Sequence, residues 1–453
     1  MACQENYVVD IVEGQHQKCW ISSIQDQVKN YSRDEADKKF KKTSIYRLPT
    51  FAKNKKEKAF TPQVASFGPF HHGNPNLKRI EDYKRHVLVH FLNKGHVPLQ
   101  SFVDAIEEVV EELQGSYHGL EEQWTRDIDK FIKLMVMDGC FMLELLRLDQ
   151  KNGDQTYPDH DPIFSFHGAH NKMPYIKRDM LMLENQLPLK VLKVLIDVEA
   201  GQAGARTTEK YINQLVHKFY WGNSKCETEK LGLHVLDVYR QNMIKTIDTT
   251  RSPSSQLNGS NNDQGGVFTA TKLRERGVRF KKSKTNKIEF NKATGVLELP
   301  SIEIDDSAEC KFLNLMAFEH LHVGEGNEIT SYICFMDELI DSASDVHLLS
   351  EKGIIVNAVG SEEAVAEIVN SLTREVISDP RGGFKVAREN LKAYSHKKIN
   401  MWKASLKHTH FSNPWSVTAL FAATLLLVLT FIQTVYTGLG YHHQPNNSTT
   451  HRQ

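Results

Sequence analysis

Two histidines beside a Gly-Pro turn, in Phe67-Gly68-Pro69-Phe70-His71-His72-Gly73, are the residues best suited to proton transfer or ligation. Imidazole titrates near neutrality and serves as general base or metal ligand. With Glu184, set among Asn185 and Gln186 in an apolar run, His71 and His72 make a hydrolase-like constellation. A plainer reading is preferred. Gly68 and Gly73 supply turn geometry, the phenylalanines pack, and Glu184-Asn185-Gln186 lock helices together through buried hydrogen bonds. His86 and His90 stand four apart on a predicted helix, a spacing that can bind a metal. HVLVH lacks the Glu general base, however, and no third ligand accompanies it. Cys140, in Asp138-Gly139-Cys140-Phe141, lies in so apolar a segment that its pKa should rise and leave it inert. Asp337, Glu338, Asp341 and Asp345 could gather a cation, but a solvated helix face is the default. The chain has no P-loop, GxSxG, HExxH or GxGxxG pattern. The expectation is therefore a non-enzyme with no catalytic, cofactor-binding or metal residues and no cofactor.

The elements that position these residues are mostly helical. Residues 1–44 are polar, with an amphipathic patch at Trp20, Ile21, Ile24 and Val28 that reads as a short helix, followed by a loose basic loop of Lys38, Lys39, Lys41, Lys42, Lys53, Lys55, Lys56 and Lys58. Residues 45–248 read as a helical lobe. Tyr83, Val87, Leu88, Phe91 and Leu92 form one stripe, and Phe102, Ile106, Val109, Val110 and Leu113 another. Residues 128–148 are apolar almost all round, which marks the central core helix. Residues 179–198 form another apolar stretch that Pro188 should end or kink, and helices at about 209–220 and 230–247 complete the lobe. Residues 249–266, rich in Ser, Asn and Gly, read as a flexible linker or loop. Residues 267–383 read as an α+β lobe with a small antiparallel sheet from 278–280, 288–290 and 296–299. Helices follow at 311–322 and 329–341, and another starts after Ser361, a good N-cap. Residues 384–414 read as a basic helix running into an anchor. The fold class is mainly α with a small antiparallel β-sheet (α+β) and a single C-terminal transmembrane helix.

That anchor is residues 415–437, an uncharged run long enough to cross a bilayer of about 30 Å. Trp415 and Tyr436 sit at its two ends, where amphipathic rings settle at headgroups, and Leu425, Leu426, Leu427 and Phe431 lie between. Lys385, Arg388, Lys392, Lys397, Lys398, Lys403 and Lys407 precede it, and no Lys or Arg follows until Arg452. The positive-inside rule then makes the N-terminal domain cytosolic and 438–453 an outer tail. The start of the chain lacks the charged and apolar regions of a signal peptide, so the protein reads as tail-anchored, in the plasma membrane or an endomembrane. Asn446 and Asn447 are possible glycosylation acceptors, and Asn30 and Asn258 match the same pattern. Lys397, Lys398, Lys403 and Lys407 form a lipid-facing basic cluster.

Partners follow from charge. Lys plus Arg and Asp plus Glu each number 56, so no global field recruits nucleic acid. The expected partners are membrane lipid and an unknown protein. The six cysteines show no CxxC spacing, which fits reduced thiols rather than a zinc site or disulfide framework.

Taken in order, several motifs resemble the plant domain-of-unknown-function 247 family (uncharacterised protein family 0481). They are Ser66 to Gly73, Met137 to Phe141, Asp179 to Pro188 with Glu184-Asn185-Gln186-Leu187-Pro188, Leu273 to Phe280, Asn314 to Glu319, Thr330 to Asp341, and Asn413-Pro414-Trp415. The resemblance covers roughly residues 45 to 437. Phe67 and Phe70 replace an expected Ile or Leu and Tyr, which are conservative changes. The resemblance implies a plant protein with a C-terminal membrane anchor, no established enzyme activity and no catalytic residues to transfer. Some family members are linked to self-incompatibility in grasses, which implies recognition or signalling.

Overall fold

A computed structural model describes residues 21–22, 24–50, 53, 56–148, 154, 156–201, 208–222, 228–247, 268–284, 287–324, 326–374, 384–397 and 414–442. The 249–266 segment, Lys398, Lys403, Lys407, Asn446 and Asn447 lie outside the described residues. The chain forms two compact units. The first is 1–247 with 304–333 and 371–382, and the second is 248–303 with 334–370 and 383–453.

Helices of the first unit are α1 (Arg33–Lys42), α2 (Glu57–Phe60), α3 (Lys78–Gly95), α4 (Leu99–Glu107), α5 (Val110–Gly115), α6 (Glu122–Arg126), α7 (Ile128–Arg147), α8 (Phe166–Asp179), α9 (Leu189–Ala200), α10 (Thr208–Trp221) and α11 (Val235–Ile247). As its all-round apolarity predicts, α7 is the core helix, packed by α3, α4, α9 and α10. Asp127 caps it by accepting the Lys130 N–H. Gly139 lets α9 approach, since a Cβ there would meet Val191 Cγ1 at 2.7 Å and Leu195 Cδ1 at 2.6 Å. Two sequence readings are corrected. Of the lysines read as a basic loop, Lys38, Lys39, Lys41 and Lys42 are helical, on α1, and Lys58 is on α2. Residues 180–188 are turns between α8 and α9, and Pro188 is the N-cap of α9 rather than a break inside a helix. Asn185 and Gln186 hold that turn by donating to the carbonyls of Asp179, Met180 and Met182, a local bonding that competes with helix.

α13 (Ala308–Leu321) returns to the first unit, where Asn314 Nδ2 donates to the Ala59 carbonyl at 2.8 Å and Asn314 Oδ1 accepts from Leu183 at 2.8 Å. α14 (Glu328–Leu339) begins in the first unit and ends in the second.

The second unit adds α12 (Ala270–Glu275), β1 (Arg279–Lys282), β2 (Glu289–Asn291), β3 (Val296–Leu299), β4 (Ile302–Ile304), α15 (Ala343–Glu351), β5 (Ile355–Asn357), α16 (Glu362–Leu372), α17 (Lys385–Ser395) and α18 (Pro414–His442). The three expected strands are present, but the sheet is mixed, not antiparallel. β2 and β3 form a hairpin, and β1 joins the far edge of β3 in parallel, pairing Arg279 with Val296 and Lys282 with Leu299. Alternation in each strand fixes its buried face but not the edge a neighbour takes. β4 and β5 form a second, two-stranded sheet that carries too little sequence signal to predict. Ser361 Oγ accepts from Ala364 at the start of α16, as its cap chemistry requires. The basic helix read across 384–414 stops at Ser395 with His396 as its C-cap.

α18 is one helix long and apolar enough to cross a membrane. Its 29 residues span about 43 Å. Trp415, Leu425, Leu426, Leu427, Phe431 and Tyr436 are all exposed on it.

Candidate functional site

The residues singled out in sequence converge in the first unit on the loop from Gln63 to Gly73. Asp179 ends α8, and one oxygen of its carboxylate accepts three successive amides: Gln63 at 3.0 Å, Val64 at 2.6 Å and Ala65 at 3.0 Å. Asn185 continues the pattern. Its Oδ1 accepts from Phe67 at 2.7 Å and its Nδ2 donates to Ala65 at 2.9 Å. Asp138, on α7, accepts the Gly68 amide at 2.8 Å. Polar side chains from α7, α8 and the 180–188 turn therefore satisfy a stretch of backbone that pairs with no strand, which a buried loop requires. Phe67 is fully buried and stacks on Phe141 at 5.7 Å, while Gly68 and Gly73 have φ of +72° and +82°.

Beneath the loop lies a buried ionic cluster. Lys84 is 0% exposed, and its Nζ donates at 2.7 Å to each of Ser66 O, Glu81 Oε1 and Asp138 Oδ1. Ser66 Oγ donates to Glu81, and His72 Nδ1 lies 3.4 Å from it. Burial pushes the Glu81 carboxyl up, but bonds from His72, Lys84 and Ser66 outweigh it and bring it down to about 2. Burial also raises the Asp138 carboxyl, although Lys84 and the Gly68 amide pull against it.

The predicted His71–His72–Glu184 constellation does not assemble as a unit. Glu184 accepts the Leu48 amide at 2.5 Å and pairs with Lys53, with His71 Nε2 at 3.8 Å. His72 turns instead to Glu81 and packs edge-on against Trp124 at 5.3 Å. Gln186 donates to two carbonyls and accepts from Leu236 at 3.2 Å. The arrangement clamps loops, and the two histidines face different carboxylates.

Sequence reasoning missed Lys84 and Glu81. The signal was available, since Lys84 shares a helical face with Ile80, Val87 and Phe91, and a lysine on an apolar stripe demands a buried anion. The remaining candidates are dispersed. His86 lies 5.8 Å from the Tyr83 ring, and His90 stacks on Tyr157 at 3.7 Å. Asp345 closes a capping box on α15 and holds Thr271, and Glu338 binds Arg388 at 3.1 Å. Among the described residues no group of three or more His, Cys, Asp or Glu is placed to hold a metal ion. Burial pushes the Cys140 thiol well up, as expected of so apolar a segment.

Two buried imidazoles give the first unit an acid limit. Burial, with the charges of Lys53 and Arg47, lowers His71 from 6.5 to about 4, and burial lowers His234 to about 3. The unfolded chain takes up these protons below about pH 6.5 and the folded chain does not, so stability falls as pH falls through that window. Each ring contributes about 2 kcal/mol of loss by about pH 5. Urea unfolding followed by tryptophan fluorescence should show this loss between neutral pH and about pH 5. His71→Gln should remove roughly half of it, and an unchanged slope would refute the assignment.

A family model described as "Plant protein of unknown function", DUF247, matches residues 45–429. A UPF0481 protein of Arabidopsis thaliana is 29% identical over 88% of this chain and 86% of its own length. A putative UPF0481 protein of the same species is 20% identical over 91% of this chain and 93% of its own. No solved structure matches.

Proposed function

Because the chain belongs to the plant DUF247 family, whose function is unknown, we propose that it is a membrane-anchored, non-catalytic interaction module for recognition or signalling. The observation that carries this reading is α18. It is uncharged, and Phe421–Gly438 is 0% buried. An apolar surface of that size needs hydrocarbon or a partner to cover it. Its hydroxyls suit lipid, since Thr430, Thr434 and Thr437 each donate at 2.8 Å to the carbonyl four residues back. In this reading α18 inserts as a single span, and the residues before it stay on the cytosolic side with the Lys-rich flank. The tail carrying Asn446 and Asn447 faces out. The membrane is the plasma membrane or an endomembrane, and the partner is a protein.

Support for a non-catalytic role comes from the loop cluster, where Glu184, Glu81, Asp138 and Lys84 are bonded internally. Full-length protein should stay with membranes through alkaline carbonate, and release into the wash would overturn the anchor. A glycosidase-sensitive mass shift, lost in Asn446→Gln with Asn447→Gln, should mark the outer tail. A hydrolase activity that disappears in His71→Ala would defeat the non-catalytic reading.

A further inference from the structure

Positive charge concentrates in the second unit. Between residues 272 and 298, nine Lys or Arg stand against three Glu, in a chain that is neutral overall. Lys281 is exposed and pairs with Glu298 at 2.8 Å. Lys272, Lys282, Lys284 and Lys292 are also exposed and form no ion pair within the described residues. The opposing Glu275 and Glu289 are exposed too, so the surface is mixed but strongly biased.

This basic surface is built onto the helix that precedes the anchor. Phe290 of β2 meets Tyr394 of α17 edge-on at 5.4 Å, and the Tyr394 hydroxyl fills the space over Gly295, 2.3 Å from where a Cβ would stand. Phe268 lies 5.6 Å from His396. α17 adds Lys385 and Lys392, with Lys397 just past its C-cap and Glu389 the opposing acid. The 18 residues from 396 to 413 then lead to α18. Fully extended, that stretch spans no more than about 65 Å. Once α18 sits in a bilayer, the basic surface can go no farther than that tether from the headgroups, and the attraction takes hold wherever it comes within roughly 10 Å.

We propose that the basic surface formed from α12, β1 and the adjoining turns, from Lys272 to Lys292 and continuous with α17, lies on anionic phospholipid headgroups of the leaflet that α18 enters. This rests on the anchor reading above. It assigns lipid contact to residues far upstream of the juxtamembrane lysines. Its function is orientation, because a tether alone leaves the second unit free to turn, whereas a charged face on a charged leaflet fixes one side toward lipid.

The test uses full-length protein reconstituted into vesicles of phosphatidylcholine alone or with phosphatidylserine, trace-labelled with an amine-reactive acetylating reagent and read by mass spectrometry. Lys281, Lys282, Lys284 and Lys292 should label about fivefold less in the anionic vesicles, roughly what one charge contributes at such a surface. High salt should restore them. A soluble lysine-containing peptide added to both vesicle samples should label equally throughout. Equal labelling of the sheet lysines in both vesicles, in protein that resists carbonate, overturns the proposal and leaves the anchor standing. Release of the protein by carbonate from both vesicles removes the anchor and the proposal together. Protection by added polyglutamate or RNA, but not by phosphatidylserine, overturns it in favour of a soluble acidic partner.

Discussion

Lys84→Met should lower the unfolding free energy of the first unit by about 3–5 kcal/mol, as removing one member of a buried ion pair does elsewhere. The side chain volume is nearly kept, so the loss is electrostatic. Asp138 would retain the Gly68 amide at 2.8 Å and lose its counter-charge, and the Ser66 carbonyl would lose its donor. Replacing the pair together, as Lys84→Met with Asp138→Leu, should recover part of the loss but not all. An apolar pair removes the uncompensated charge, yet it leaves the Gly68 amide and the Ser66 carbonyl buried without partners, at about 1–3 kcal/mol each. Urea titration of the two single variants and the double variant gives the coupling directly. A loss below about 1 kcal/mol in Lys84→Met would mean the cluster does not organise the loop.

How far the sequence reveals this site depends on the range of each interaction. Helix periods are local, so α7, α10, α11, α13 and α18 are legible within a few residues, and so is the Ser361 cap. The motifs around Phe67, Asp138 and Glu184 are also visible as places where polar residues and glycines interrupt apolar runs. What they do to one another is not visible. Asp138 and Gly68 are 70 residues apart in the chain, and Asp179 reaches residues 63 to 65 across more than 110. Nothing in the spacing of either segment specifies that register. The same holds for β1, which pairs not with the next strand, β2, but in parallel with β3, the second strand of the hairpin. Pro188 misled for a local reason. A proline that could break a helix equally well starts one, and the turn before it is stabilised by the Asn185 and Gln186 side chains. His71 and His72 do not converge on Glu184 because adjacent residues of an irregular loop need not share a target, and these two face different carboxylates.

Gly68→Ala should be the other severe substitution, and Gly73→Ala is its built-in control. Both glycines occupy the left-handed region, at φ of +72° and +82°. Placing an L-residue there costs about 1–2 kcal/mol at either position. The surroundings differ. A Cβ on Gly73 would meet nothing within 4 Å, so Gly73→Ala should cost only the backbone term. A Cβ on Gly68 would lie 2.6 Å from the Gln186 carbonyl oxygen and 2.9 Å from the Tyr117 hydroxyl. Neither neighbour can yield freely, because that carbonyl accepts from Tyr117 at 3.2 Å and Gln186 is bonded at both ends of its amide. Relieving the overlap would push the Gly68 amide away from Asp138 and loosen the Lys84 cluster. The steric term adds about 1–3 kcal/mol, so Gly68→Ala should destabilise by about 2–5 kcal/mol in total. Equal urea midpoints for the two variants would mean that the loop does not press on the 180–188 turn as the contacts require. A large excess for Gly68→Ala would place the constraint on this glycine in packing, with the chain free to keep its chemistry elsewhere.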